Sequence, residues 1–198
     1  MSTAALIEYF SKEISLPVDV NAVLHKIREL RGEEENVEFI GVDIDPDIML
    51  GKIKVFYVRD GVYGEPIRWA NVYYCRSLDI AWQRMICCKE ITHLMDPIHT
   101  RTSNIDDIDK LAERIGLPPE MQNPIEDGAE TNWDRLAEWR AVAVLLPLAA
   151  RDILMPAYRD GKISLADIAR MADIPSKYAA FVMSDVWPKV HAALVKVG

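Results

Sequence analysis

The apolar residues change their spacing several times along the chain, and each change predicts an element. In "PVDVNAVLHKIRELRGEEEN", residues 17–36, Val20, Val23, Leu24, Ile27 and Leu30 recur at the helical period. The acidic turn after Gly32 ends that helix. Three segments rich in β-branched and aromatic residues follow. "NVEFIGVDID" and "GKIKVFYVRD" flank "PDIML", and "RWANVYYC" follows the turn residues of "DGVYGEP", so the pattern predicts a small three-stranded sheet.

Beyond Arg76 the helical period returns. Asp79 to Leu94 carries Ile80, Met85, Ile86, Ile91 and Leu94, and Asp96-Pro97 closes it, because proline disfavours helix in the residue before it. "SNIDDIDKLAERIGLPP" reads as a capped helix stopped by Gly116 and the prolines. "TNWDRLAEWRAVAVLLP" closes around Pro147, and "LAARDILMPAYRDG" continues helically. The last stretch, "ISLADIARMADIPSKYAAFVMSDVWPKVHAAL", predicts two or three short helices with a turn at Asp173-Ile174-Pro175. Helix, small sheet, then helices is an α+β order. We expect residues 1–147 to form the main domain and 148–198 a helical extension packed on it.

Composition narrows the setting. The 198 residues are 50% hydrophobic with a mean hydropathy of −0.02, enough for one domain with a real core. The longest apolar run, Ala141 to Ala150, is short for a bilayer and holds a proline. The N-terminus lacks a basic start followed by an apolar block. Three cysteines, two of them adjacent (Cys87 and Cys88), make a poor disulfide framework and predict buried thiols in a cytoplasmic protein. A net charge of −8 and a pI near 5.0 count against binding bulk nucleic acid.

The chemistry concentrates in "QRMICCKEITHLMDPIHT", Gln83 to Thr100. H-E-x-x-H on a helix sets two imidazoles on one face to hold zinc, with the glutamate as general base. Here Glu90 and His93 fill the last positions, but Lys89 stands where the first histidine belongs. An ammonium has no lone pair to give a metal and brings positive charge to the metal's place. E-x-x-H alone also arises as an ordinary helix string. His99 follows Pro97 and is off the helical face, leaving only a loop-ligand role. A di-iron site needs a second E-x-x-H, and "DPIH" is broken by proline. Cys87 and Cys88 point to different faces and lack a C-x-x-C partner. No nucleophile turn of the G-x-S-x-G kind is present.

With its surroundings, this stretch resembles the ImmA/IrrE family of zincin-like metallopeptidases, in which such a helix follows a small sheet. The family commonly reads R-F-T-x-A-H-E-x-G-H. Here Arg84 matches the arginine, Met85 the aromatic, Cys88 the alanine, Glu90 the glutamate and His93 the second histidine. The family's later E-x-x-A-x-x-F-A-x-x-L-L-M-P is similar to "DRLAEWRAVAVLLP", with Ala137 and Ala141 on the alanines, Pro147 on the proline and Arg140 in place of the phenylalanine. The resemblance covers roughly residues 37–147. It implies an α+β zincin-like fold, Glu90 as a vestigial general base, and His93 with Asp134 as metal ligands. Glu138, one turn beyond Asp134, is the competing third ligand. Lys89 and Thr92 replace a ligand and a glycine of the family pattern.

These departures lead to one expectation: Lys89 takes the metal's place and pairs with Glu90 and with Asp134 or Glu138, because unpaired buried carboxylates are costly. The expected protein is then a non-hydrolytic, regulatory protein-binding module with no cofactor. Members of the family cleave or regulate repressors in phage, mobile-element or stress-response settings, so a transcriptional regulator is the implied partner. Two alternatives stay open. One is an active metallo-endopeptidase with zinc in a noncanonical site. The other is a DNA-binding regulator using the C-terminal helices, although Lys177 is the only basic residue from Ser176 to Trp187.

Overall fold

The computed structural model describes residues 3–33, 35–59, 61, 64–96 and 129–197, with side chains in the last stretch from 135 to 196. Within them the chain is α+β: eight α-helices and a three-stranded mixed sheet. The helix predicted over 103–119 and the loop ligand His99 lie outside the described residues.

Helix α1 (Thr3–Phe10) buries Leu6, Ile7 and Phe10. Helix α2 (Val20–Arg31) starts where the Asp19 carboxylate accepts from the Asn21 N–H, and its Val23, Leu24 and Ile27 face the core. It ends at Gly32, whose φ of 65° is left-handed and directs its N–H back to the Arg28 carbonyl. Strands β1 (Asn36–Val42), β2 (Gly51–Arg59) and β3 (Pro66–Cys75) follow. Their order is β1-β3-β2, with β1 parallel to β3 and β2 antiparallel to it. The three predicted strands are all present.

Helix α3 (Ile80–Thr92) begins at Asp79, whose carboxylate accepts from the Trp82 N–H at 2.9 Å, and runs into a 3-10 turn at His93–Met95. It packs on β2 and β3, on α2, and on helix α4 (Ala129–Leu145). Every residue from Met85 to Thr92 is buried, so α3 has no solvent face in its second half. Ala137 and Ala141 of α4 are fully buried, and their small side chains permit a close approach of helices.

At Leu146-Pro147 the chain bends by 71° into helix α5 (Leu148–Arg159), since proline cannot extend α4. No single helix among the described residues is long and apolar enough to cross a membrane. Three short helices complete the chain: α6 (Leu165–Ala172), α7 (Ser176–Val182) and α8 (Trp187–Val197). A reciprocal Ser164–Asp167 capping box starts α6. Helix α8 returns to pack against α1, and α7 packs against α4. One cluster of buried side chains runs through all of these helices and the inner face of the sheet.

Candidate functional site

The C-terminal half of α3 puts charged residues where the patterning puts core. Lys89 is 8% exposed and Glu90 3%. Neighbouring positions on a helix diverge by about 100°, yet the Lys89 Nζ lies 3.3 Å from the Glu90 Oε1. The four-carbon lysine stem makes that contact possible by swinging its ammonium back to the carboxylate. Thr92, fully buried, donates its hydroxyl to the Lys89 carbonyl at 2.7 Å.

One turn on, His93 Nδ1 meets Asp96 Oδ2 at 2.6 Å, and Asp96 Oδ1 accepts from Arg140 Nη1 of α4 at 2.8 Å. Asp96 and Arg140 are 3% and 4% exposed. The sequence marked Asp96 only as a helix stop and Arg140 only as a departure from the family's phenylalanine. The spacing His93-x-x-Asp96, at i and i+3 with a buried arginine opposite, was the available signal. Within these five residues the carboxylates of Glu90 and Asp96 each meet a cation, Lys89 and Arg140 respectively.

The other expected residues lie differently. Glu138 accepts a hydrogen bond from the Tyr178 hydroxyl at 3.0 Å, which ties it to α7, and among the described residues no ion pair joins it to Lys89. Asp134 falls within α4, but its side chain lies outside the described ones. Cys87 and Cys88 are buried free thiols, and burial pushes both up to about 12. They sit in the core as small apolar groups and are poor thiolate donors.

The described donors alone do not complete a zinc centre, and the expected ligand Asp134 has its side chain outside them. A carboxylate on His93 Nδ1 is the arrangement that orients an imidazole to offer Nε2 to a metal, and that is one suitable donor. Lys89 offers none, Glu90 is engaged by Lys89, and Glu138 is engaged by Tyr178. Among the described residues no group of three His, Cys, Asp or Glu side chains is placed to hold a metal ion.

A second charged cluster lies next to the first. The Glu35 side chain is fully buried between Arg31, whose Nε is 3.0 Å away, and Arg68, whose Nη1 contacts Glu35 Oε1. Arg31 also donates through Nη1 to the Leu94 carbonyl, in the 3-10 turn that carries His93. Through Arg31 this cluster ties the turn to the end of α2. A cavity of about 260 Å³ opens at the other end of α3, between Asn21, Phe39, Tyr74, Ile80 and Arg84, and does not include the Lys89–His93 turn.

Compared with known proteins, the chain matches no family model and no curated sequence.

Proposed function

We propose that the chain is a zincin-like domain of the ImmA/IrrE type that does not hydrolyse peptides and acts as a regulatory module by binding another protein. One observation carries this reading: the buried Lys89–Glu90 ion pair at 3.3 Å, at the two positions that in a working zincin supply a metal ligand and the general base. With its carboxylate engaged by an ammonium, Glu90 has no metal-bound water to polarise. The order of elements supports the fold half of the proposal. A small sheet precedes the motif helix, and a later helix with Ala137 and Ala141 packs directly on it. A DNA-binding transcriptional regulator is the partner that the resemblance implies.

A working metallopeptidase is the second reading, and the His93–Asp96 contact favours it, because a carboxylate on Nδ1 is the contact that orients a metal-binding imidazole. DNA binding by the C-terminal helices draws less support, since Lys177 lies 4.6 Å from the centres of both the Trp82 and Tyr178 rings. The test is a cleavage assay on repressor-type proteins with and without added zinc. The proposal expects no cleavage in either case. Zinc-dependent cleavage that a Glu90→Gln substitution abolishes would overturn it.

A further inference from the structure

The sheet has two unlike faces. Toward the helices it presents Val37, Phe39, Ile53, Val55 and the fully buried Ala70 and Val72. Strand residues alternate sides, so Ile40, Phe56, Trp69 and Tyr73 lie on the other face with Val58 and Ile67. The first four are partly exposed and stand outside the core cluster, while Val58 and Ile67 are 40% and 44% exposed. This outer face is apolar and aromatic on a sheet that includes a parallel pair, and parallel pairing is seldom left with an open side.

The polar positions on that face also include Asn36 and Lys52, and one row among them selects a partner. Glu38 of β1 and Lys54 of β2 both register with Asn71 of the central strand. The three therefore form one row across the sheet, with acid and base roughly 10 Å apart on either side of the amide. Both charged side chains are exposed, and among the described residues neither has an ion-pair partner.

We infer that this outer face pairs with the same face of a second copy of the chain, about a two-fold axis running along β3. Sheets packed face to face keep their strands within roughly 30° of alignment. That axis lays β1 of one copy over β2 of the other, so Glu38 meets the second copy's Lys54 on both sides of the central strand. An axis across the strands would instead set Glu38 on Glu38 and Lys54 on Lys54, which like-charge repulsion disfavours. In flat projection the face measures roughly 14 Å by 28 Å, or about 800 Å² over both copies. Stable interfaces bury more than about 1,000 Å², so the dimer is weak and concentration-dependent. This inference stands apart from the proposed function and does not depend on it.

The experiment is sedimentation velocity on the full chain from about 5 to about 300 µM, a range that brackets a weak interface. The weight-average mass should climb from 22.5 kDa toward twice that value. Glu38→Lys and Lys54→Glu each place like charges together at two symmetric contacts. Each should weaken the dimer roughly a hundredfold, at about tenfold per contact. The double reversal should restore it to within about threefold, with circular dichroism verifying that every variant is folded. A monomer at the highest concentration, a dimer indifferent to the single reversals, or a double variant that fails to recover would each overturn the inference.

Discussion

Lys89 and Glu90 are sequence neighbours whose charged ends meet at 3.3 Å inside the core, at the turn of α3 that leads to His93. Helix neighbours do not ordinarily face one another. The pairing follows from the need to compensate a buried carboxylate, and the lysine stem is long enough to do so.

Removing one partner of a buried pair leaves an uncompensated charge. Lys89→Met should therefore lower stability by about 3–5 kcal/mol. Adding Glu90→Gln should recover at least about 1 kcal/mol of that loss, because the two side chains interact directly. Urea denaturation of the two single variants and the double variant measures the coupling, and strictly additive losses would contradict the pairing.

Glu35 makes a parallel case. It is the buried counter-charge for both Arg31 and Arg68, which share the more exposed Glu33 as a second partner, and Arg68 Nε and Nη2 are already buried without hydrogen-bond partners. Glu35→Ala should cost about 1.5–3 kcal/mol in the same measurement, since Glu33 still faces both arginines. Arg159→Ala, which breaks an exposed pair with Asp185, should leave the unfolding midpoint unchanged.

The sheet meets α3 closely at Gly51. A Cβ there would come within 2.2 Å of Ile86 Cγ2 and 2.9 Å of the Tyr73 carbonyl. Gly51→Ala should destabilise by about 1–3 kcal/mol through overpacking. In the double variant with Ile86→Ala the combined loss should be smaller than the sum of the two, since the truncation opens space for the new methyl group.

Patterning made the sheet and the long amphipathic α2 legible because each has one buried and one exposed face. It did not reveal α1, whose buried positions include Thr3 and Ala4 and so give a weak apolar stripe. For α3 it placed the helix but not its surroundings: with eight consecutive residues buried there is no polar stripe, and Lys89 and Glu90 mimic one. The site was half legible for the same reason. The motif pointed to Lys89, Glu90 and His93, while Arg140 reaches Asp96 from 44 residues away, a contact created by packing α4 on α3. Local spacing likewise offered Glu138 as a ligand, whereas Tyr178, 40 residues on, holds it.

His191 on α8 gives a pH dependence with a definite sign. Its ring is 6% exposed, its Nε2 is buried without a partner, and Trp187 stands at 6.4 Å. Burial lowers its pKa from the ordinary 6.5, against a smaller upward pull from Asp152. The unfolded chain therefore binds this proton more readily than the folded one, so stability is lost as pH falls below about 6.5. The urea midpoint should drop between pH about 7.5 and about 5.5, and His191→Phe should drop less over the same interval. An equal drop in both proteins would remove His191 from the account.

The measurement that bears most directly on the site is metal content by elemental analysis. It compares protein purified without chelators and offered zinc with a Lys89→His variant treated identically. If the lysine ammonium stands where a zincin holds its metal, the native chain carries less than about a tenth of an equivalent of any transition metal. The variant then takes up close to one equivalent of zinc, as a second imidazole one turn from His93 supplies the missing donor. A native chain that already binds one equivalent of zinc would contradict the account at its centre.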